Sequence, residues 1–327
     1  MRAGFGQFNL ATPEYLRFAA QYGVKDILFN NPILQEEKPG VWSKKELLKL
    51  KLTVESYGLQ LSAIENVPTH FYDHIMLNGP NKNQQIDNMI KNIINMADVG
   101  IPIFGYNWMP SHVWRTAPNI IRGGSIATAF DYTTAKQIPI THDREYAESE
   151  MWTNLEEWIK VITPIAEEKN IRLGIHPCDP PVETLGGIPQ LFRSFDSYKR
   201  LIEIIDSPSN AIEFCQGTFS EMEDAKDGGI YEMIDYFSSR KKILYVHFRN
   251  VSGTVPNFNE EFINTGYVDM YKAMKIYHKN GFDSFFIDDH VPQTFEDTEW
   301  GHRGRSFANG YIQALIESVT KENKFYD

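Results

Sequence analysis

The sequence has few cysteines, no long apolar run and no dense block of basic residues, and each absence excludes a class of protein. Two cysteines among 327 residues cannot form a disulfide framework, which favours a reducing compartment. No stretch reaches the roughly eighteen consecutive apolar residues of a transmembrane helix. The opening stretch MRAGFGQFNL predicts no signal peptide. We therefore expect a cytoplasmic protein that has no membrane partner.

The charge balance and the glycine pattern exclude two further classes. The net charge is −11 and lysines and arginines are not clustered, which argues against nucleic acid as a partner. A small anionic substrate remains compatible with this charge, because arginines in a site can override the overall field. No Gly-x-Gly-x-x-Gly motif follows a predicted strand, so a dinucleotide-binding domain is not favoured.

Apolar residues make up 42 % of the chain, and strand-like and helix-like segments alternate along it. The predicted strands span residues 2–8, 26–30, 59–65, 101–107, 172–177, 210–215, 243–250 and 284–290. The predicted helices span residues 43–58, 83–100, 148–169, 196–205, 229–237, 268–279 and 305–321. Eight alternating units predict an α/β protein with a (β/α)8 TIM barrel, and an open doubly wound sheet is the alternative.

One segment, residues 108–147, interrupts this alternation after the fourth strand because it has no clear hydrophobic period. Loops of this length in a compact domain usually cover or form a binding site. We interpret the segment as an active-site lid. The chain has no linker or low-complexity tract, so residues 1–327 are treated as one barrel domain.

Polar residues close most of the predicted strands, and a (β/α)8 barrel carries its active site at the carboxyl ends of its strands. In chain order these residues are Glu65, Tyr106, Asn107, His176, Cys215, His247, Arg249, Asn250, Asp288, Asp289 and His290. Taken singly, each residue could be a packed structural histidine, a small apolar cysteine or a helix-capping carboxylate.

Strands five to eight together would bring His176, Cys215, His247 and one of the two aspartates to one point. Imidazole, thiolate and carboxylate groups bind divalent transition metals, so the set predicts a metal site. Zinc, iron(II), manganese and cobalt all remain open on this argument.

Several longer stretches resemble the D-mannonate dehydratase family, a metal-dependent group in the xylose-isomerase-like barrel superfamily. They are VWSKKELLKLKLTVESYGL (41–59), IENVPTH (64–70), YNWMPSHVWRT (106–116), GIHPCDPP (174–181), VHFRN (246–250), YVDMYKA (267–273) and the aspartate–histidine pair 289–290. The resemblance implies His176, Cys215, His247 and Asp289 as metal ligands, with manganese or iron(II) as the metal. It also implies His290 as a catalytic acid or base.

The implied reaction removes water from a six-carbon sugar acid such as D-mannonate and yields a 2-keto-3-deoxy acid. Arg249 and Arg115 are then expected to hold the substrate carboxylate. Glu65 is expected to orient a ligand or a metal-bound water. The remaining predicted substrate contacts are Asn107, Tyr106 and Asn250. A homo-oligomer, a dimer or larger, is expected.

The sequence departs from the family pattern at three places. His302 stands where the family has a catalytic tyrosine, so it is predicted to be a second catalytic group. Cys178 replaces a family aspartate and is not expected to bind metal. The chain is also shorter between the lid and the fifth strand. Two alternatives to a dehydratase therefore stay open: a metal-dependent sugar isomerase or epimerase, and a barrel that only binds a sugar acid as a sensor or carrier.

Overall fold

Eight parallel strands form a closed barrel in the computed structural model, which describes residues 1–322. The strands are β1 (Arg2–Phe8), β2 (Asp26–Asn30), β3 (Gln60–Glu65), β4 (Ile103–Tyr106), β5 (Arg172–Ile175), β6 (Asn210–Cys215), β7 (Ile243–His247) and β8 (Phe285–Ile287). Each strand pairs with its neighbour in sequence, and β8 pairs with β1 to close the ring. The predicted TIM barrel is confirmed, and the open doubly wound sheet is excluded.

Eight longer helices in the described part of the chain surround the barrel. They are α1 (Pro13–Gln21), α2 (Lys44–Glu55), α3 (Lys82–Val99), α4 (Glu148–Glu168), α5 (Phe195–Ile204), α6 (Gly229–Ser239), α7 (Met270–Lys279) and α8 (His302–Glu322). The sequence analysis missed α1, although Thr12 accepts a capping hydrogen bond from the Tyr15 N–H and Pro13 occupies the first turn. Within residues 1–322, no helix is both long and apolar enough to cross a membrane.

Shorter elements occupy the connections between these units. The short helices are Thr69–Phe71, Asp73–Met76, Arg122–Gly124, Tyr132–Ala135, Gln216–Glu221 and Glu223–Gly228. The short strands are Glu36–Lys38, Val41–Trp42, Asn119–Ile120, Ile126–Ala127, Ala129–Asp131, Thr184–Leu185, Ile188–Pro189, Asn250–Val251 and Asn257–Glu261.

The predicted lid, residues 108–147, contains more regular structure than its sequence indicates. Asn119–Ile120 and Ile126–Ala127 form an antiparallel hairpin, and Ala129–Asp131 pairs with Asn257–Glu261. The segment is therefore tied by backbone hydrogen bonds to the connection that follows β7. It has no helical or strand period because its strands are only two or three residues long.

Alternation along each strand decides which side chains enter the barrel. In β4, Phe104 and Tyr106 point outwards and stack with ring centroids 5.8 Å apart. Gly105 points inwards, where a Cβ atom would collide with the Tyr245 hydroxyl and the Glu213 carboxylate. The barrel interior thus needs glycine in β4, because polar side chains from β6 and β7 fill that space.

Candidate metal centre and active site

Four side chains from the ends of β5 to β8 meet at the carboxyl end of the barrel. One potential ligand atom each from His176, Cys215 and His247 lies within 4.8 Å of the other two, and all three residues are buried. Asp289 adjoins them: its Oδ2 lies 3.8 Å from Cys215 Sγ and its Oδ1 lies 3.6 Å from His247 Nδ1. The structure therefore brings together the four residues predicted to bind a metal.

Hydrogen bonds orient both imidazoles towards this cluster. His176 Nδ1 lies 2.7 Å from the Pro177 carbonyl oxygen, which leaves Nε2 for the cluster. His247 Nε2 lies 3.0 Å from Glu65 Oε2 and 3.2 Å from Glu213 Oε1. Its Nδ1 is buried and has no hydrogen-bond partner among the described residues. A buried polar atom without a partner is costly, so a metal ion at this point would satisfy it.

The electrostatic surroundings favour the ligand form of Cys215. Burial by itself would raise the pKa of the thiol, but the charges of Arg249 and His176 lower it to about 5. A thiolate is the form that binds metals. Two nitrogens, one sulfur and one carboxylate fit a divalent transition metal better than magnesium or calcium, which prefer oxygen ligands.

The structure distinguishes clearly between the two neighbouring aspartates. Asp289 has a left-handed backbone (φ 60°) that ends β8 early and turns its carboxylate towards the cluster. Asp288 accepts a hydrogen bond from Arg305 at 3.0 Å. The predicted strand 284–290 is therefore only three residues long, and its last two positions belong to the site rather than to the sheet.

A buried group of charges, the arginine–carboxylate cluster, adjoins the candidate ligands. It consists of Arg115, Arg249, Asp179, Glu221 and Glu260. Arg115 binds both oxygens of Asp179, at 2.6 and 2.8 Å, and also Glu260. Arg249 contacts Glu221 at 2.9 Å, Glu260 at 2.8 Å and Asp179 at 3.2 Å.

These contacts bear on the prediction that Arg115 and Arg249 hold a substrate carboxylate. Both guanidinium groups are already paired with protein carboxylates, and the side chain of Arg249 is only 1 % exposed. Arg249 also donates from Nε to Asp289 Oδ2 at 3.1 Å. The two arginines therefore neutralise buried carboxylates and hold a candidate ligand in place.

His290 lies beside Asp289 at the edge of the cluster, and 42 % of its side chain is exposed. Its Nδ1 lies 2.9 Å from Glu260 Oε2, and its Nε2 lies 3.7 Å from Asp289 Oδ1. Burial by itself would lower the pKa of this imidazole, but Asp289 and Glu260 raise it above its ordinary value. A partly exposed imidazole at this position can exchange a proton with a bound ligand.

The structure does not bring three of the predicted residues into the cluster. Tyr106 is 1 % exposed and packs outside the barrel against Trp158, because strand alternation points it outwards. The Asn250 side chain is hydrogen-bonded to backbone groups of its own loop: its Nδ2 donates to the carbonyl oxygens of residues 263 and 268.

His302, the third of these residues, faces helix α1 rather than the candidate ligands. Its Nδ1 lies 2.5 Å from Thr298 Oγ1, and its ring stacks on Tyr15. Glu14 lies 3.6 Å from its Nε2. Because His302 begins α8, the direction of that helix turns its side chain against α1. The prediction of a catalytic role for this residue is therefore not supported by its position.

Cys178 lies in the hydrophobic core and not among the candidate ligands. Its sulfur accepts a hydrogen bond from the Phe192 N–H at 3.4 Å, and burial raises the pKa of its thiol to about 12. A protonated thiol in the core does not bind metal. The adjacent Asp179 instead joins the arginine–carboxylate cluster.

The sequence analysis missed a fully buried carboxylate, Glu213, which lies 3.2 Å from His247 Nε2. Burial and the charge of Glu65 raise its pKa above the ordinary value of 4.5. A signal was available, because Glu213 is two positions before Cys215 in the same strand and must share its inward face.

A row of hydrogen-bonded amides, here called the amide chain, was also missed except for Asn107. Asn107 Nδ2 donates to Asn66 Oδ1 at 2.8 Å, and Asn66 Nδ2 donates to Asn30 Oδ1 at 3.2 Å. Asn30 Nδ2 donates to Gln7 Oε1 at 2.7 Å, and Gln7 Nε2 donates to Asp289 Oδ1 at 3.0 Å. The amide chain thus follows the ends of β4, β3, β2 and β1 and reaches the candidate metal ligand on β8.

Comparison with known proteins identifies one family along nearly the whole chain. The sequence model described as D-mannonate dehydratase (UxuA) matches residues 3–143 and 136–326. The mannonate dehydratase of Streptococcus uberis is 30 % identical over 352 residues, covering 98 % of each chain. Mannonate dehydratase 2 of Halalkalibacterium halodurans is 29 % identical, covering 95 % of this chain and 94 % of the relative.

Solved structures agree with this assignment. The crystal structure of mannonate dehydratase from Streptococcus suis serotype 2 superposes with a TM-score of 0.89 at 26 % identity, covering 99 % of this chain and 95 % of that one. An L-ribulose 3-epimerase superposes with a TM-score of 0.60 at 12 % identity, covering 99 % of this chain and 98 % of that one, and so shares the fold. The family match and the 30 % identity over 98 % of the sequence lead to one conclusion: the chain belongs to the D-mannonate dehydratase family of hydro-lyases.

Proposed function

We propose that this protein is a metal-dependent dehydratase that converts a six-carbon sugar acid, with D-mannonate as the first candidate, into a 2-keto-3-deoxy acid and water. The observation that carries the proposal is the group of four potential ligands at the ends of four successive strands, together with the buried Nδ1 of His247, which has no hydrogen-bond partner among the described residues. The names of the related proteins support the substrate class.

His176, Cys215, His247 and Asp289 would hold the metal, for which we propose manganese or iron(II). When bound, such an ion would supply positive charge to stabilise the negative charge that develops beside the substrate carboxylate as the carbon-bound proton is removed. Glu65 would act through its contact with His247 Nε2, which keeps the opposite ring nitrogen turned towards the ion.

We propose that His290 protonates the departing hydroxyl group. Its Nδ1 faces Glu260, so its Nε2 is the nitrogen available at the mouth of the barrel. Burial by itself would lower the pKa of the ring, but the carboxylates of Asp289 and Glu260 raise it above its ordinary value, which favours the proton-donating form. Asn107, at the end of β4, would contact substrate hydroxyl groups.

The test of this function is an assay of metal-loaded protein against a panel of aldonic acids for 2-keto-3-deoxy products. We expect product from D-mannonate or a close relative. Isomerised or epimerised sugar in place of that product would overturn the dehydratase proposal in favour of an isomerase or epimerase. Binding of a sugar acid without any turnover would indicate a sensor or carrier.

We further propose that residues 108–147 cover the bound substrate, since Arg115 in this segment contacts both Asp179 and Glu260. Limited proteolysis with and without substrate tests this role, and protection of the segment by substrate is expected. The cytoplasm is the proposed location, because both cysteines are free.

A homo-oligomer is also proposed, and exposed apolar side chains in and near the hairpin of the lid support it. Ile120 is 79 % exposed and Ile126 is 44 % exposed, and the two are paired in the hairpin of the lid. Phe295 is 81 % exposed. It is two residues after Gln293, whose backbone forms an antiparallel β-bridge with Ile126. Exposed apolar surface of this kind commonly marks contacts between proteins. Light scattering after size-exclusion chromatography would measure the molecular mass.

A further inference from the structure

The two halves of the barrel mouth differ in chemistry. The ends of β5 to β8 carry the candidate ligands and most of the charged groups. The ends of β1 to β4 carry the neutral amide chain of Gln7, Asn30, Asn66 and Asn107 beside the buried carboxylate of Glu65. All four amides are partly exposed. The amide chain is therefore a neutral, accessible surface. It contacts the candidate metal site through the hydrogen bond from Gln7 to Asp289.

The direction of every hydrogen bond in the amide chain is set from its two ends. The backbone N–H of Met109 donates to Asn107 Oδ1 at 3.1 Å, so the Nδ2 of that residue must point to Asn66. At the other end, the Asp289 carboxylate can only accept, so Gln7 must present its Nε2. None of the amide groups can rotate by 180°, which would exchange its oxygen and nitrogen, without losing a hydrogen bond.

This fixed direction leaves a defined set of unused hydrogen-bonding positions. Each of the four side-chain oxygens accepts one hydrogen bond from the described residues and can accept one more. Asn30 Nδ2 and Asn107 Nδ2 each donate one of their two hydrogens. By contrast, Gln7 Nε2 contacts both Asp289 and Glu65, and Asn66 Nδ2 contacts both Asn30 and Glu65.

We propose that the amide chain is the binding surface for the hydroxylated tail of the substrate, the part beyond the carbons that react. A row of acceptor oxygens with two spare donors matches a row of hydroxyl groups, each of which can donate and accept. The amide chain carries no charge of its own, so it suits a neutral polyol tail. The metal site would bind the carboxylate end of the substrate. This inference rests on the proposed function, because it assumes a sugar acid as the ligand.

Asn30 separates this role from a structural one. It contacts Gln7 and Asn66 but none of the candidate ligands directly, so we expect Asn30→Ala to keep its metal, and elemental analysis checks this. A shorter acid, L-glycerate, has the carboxylate and the neighbouring hydroxyl groups, with the same configuration at C2 as D-mannonate, but no tail. Binding of L-glycerate therefore reports on the reacting end alone.

The experiment measures the Kd of D-mannonate and of L-glycerate by isothermal titration with metal-loaded His290→Ala protein, in which turnover is suppressed, and with the same protein carrying Asn30→Ala as well. We expect the added Asn30→Ala change to weaken binding of D-mannonate about 5- to 10-fold, as for the loss of one or two hydrogen bonds, and to leave binding of L-glycerate unchanged. Asn81→Ala is the matched control, because Asn81 is exposed and makes no capping hydrogen bond with its side chain. The control should leave both Kd values unchanged.

Equal weakening of both ligands, or no weakening of D-mannonate, would overturn the inference. If Asn30→Ala fails to fold, Asn30→Ser, which removes the amide without adding a charge, replaces it with the same expected loss for D-mannonate only. Wild-type protein that prefers D-mannonate over L-glycerate but yields no 2-keto-3-deoxy acid would contradict the proposed function alone. Turnover of D-mannonate with an unchanged Kd in the Asn30 variants would contradict this inference alone.

Discussion

Arg249 donates from Nε to Oδ2 of Asp289 over 3.1 Å, and this contact joins the candidate metal ligands to the arginine–carboxylate cluster. The same guanidinium contacts Glu221 and Asp179 through its other nitrogens. The buried guanidinium of Arg249 therefore holds Asp289, a candidate ligand, in place. It also neutralises carboxylates that are buried away from solvent.

Replacing Arg249 should destabilise the fold strongly. In Arg249→Met, Glu221 and Asp289 each lose a buried charged partner, and we expect the free energy of unfolding to fall by about 3–5 kcal/mol. Urea unfolding followed by circular dichroism measures this change. Arg17→Met is the control, since Arg17 is exposed on α1 and its replacement should cost at most about 0.5 kcal/mol. A similar effect of both variants would show that the buried pairs do not stabilise the protein.

The two cysteines provide a direct comparison for the metal site. We expect Cys215→Ala to lose bound metal, because the Cys215 sulfur lies within 4.8 Å of a ring nitrogen of both His176 and His247. Cys178→Ala should keep its metal, because that sulfur lies in the hydrophobic core. Elemental analysis of the purified proteins gives the metal content. Full metal occupancy in Cys215→Ala would remove Cys215 from the ligand set.

Glu65 and Glu213 share His247 Nε2, but their replacement should have different effects. Because the pKa of Glu213 is raised, its carboxyl group tends to hold a proton, and Glu213→Gln imitates that form with little change in metal affinity. Glu65→Gln replaces the nearer oxygen, 3.0 Å from His247, and should weaken metal binding by about 10- to 100-fold. Competition with a chelator measures both affinities. A larger loss in Glu213→Gln would reverse the assigned roles.

The pairing of Asp179 with arginines predicts a particular dependence of stability on pH. Burial by itself would raise the pKa of Asp179, but Arg115 and Arg249 lower it below the ordinary value of 3.8. A lowered pKa in the folded state stabilises the protein above pH 4 or so, and this stabilisation is lost as the pH falls through the folded-state pKa. Arg115→Met weakens the pairing and should therefore lose less stability on acidification than the wild type.

The measurement for this prediction is the free energy of unfolding of wild type and Arg115→Met at pH 6 and pH 3. The difference between the two proteins should shrink at pH 3, because Asp179 begins to be protonated in the unfolded chain. A difference that stays constant between these pH values would argue against the electrostatic explanation.

His290 and His302 can be compared in the same assay. His290→Ala should reduce turnover of the sugar acid by about 10²- to 10⁴-fold, as for loss of a proton donor. His302→Ala should keep turnover near the wild-type value, because the ring packs on Tyr15 and faces α1. Metal content is measured in parallel and should be retained in His302→Ala. Loss of turnover in a folded, metal-loaded His302→Ala would restore a catalytic role for this residue.

Local patterns in the sequence were sufficient for the barrel and for the candidate ligands. Apolar runs alternate with helical periods, and parallel strands in a closed barrel all end on one face. A ligand type at the end of a strand must therefore lie near the others, which is why His176, Cys215 and His247 could be predicted without coordinates. Strand alternation also contained the signals for Glu213 and for the outward direction of Tyr106.

Other features depended on contacts between residues that are far apart in sequence. Gln7 reaches Asp289 across 282 positions, and Arg115 reaches Glu260 across 145. Left-handed backbone conformations at Gln7, Asn66 and Asp289 turn these side chains in directions that no strand period predicts. The sequence by itself determined the barrel and the residue types at the end of each strand. Only the tertiary structure decided which of them meet, because loop conformation and the pairing of buried charges set the direction of each side chain.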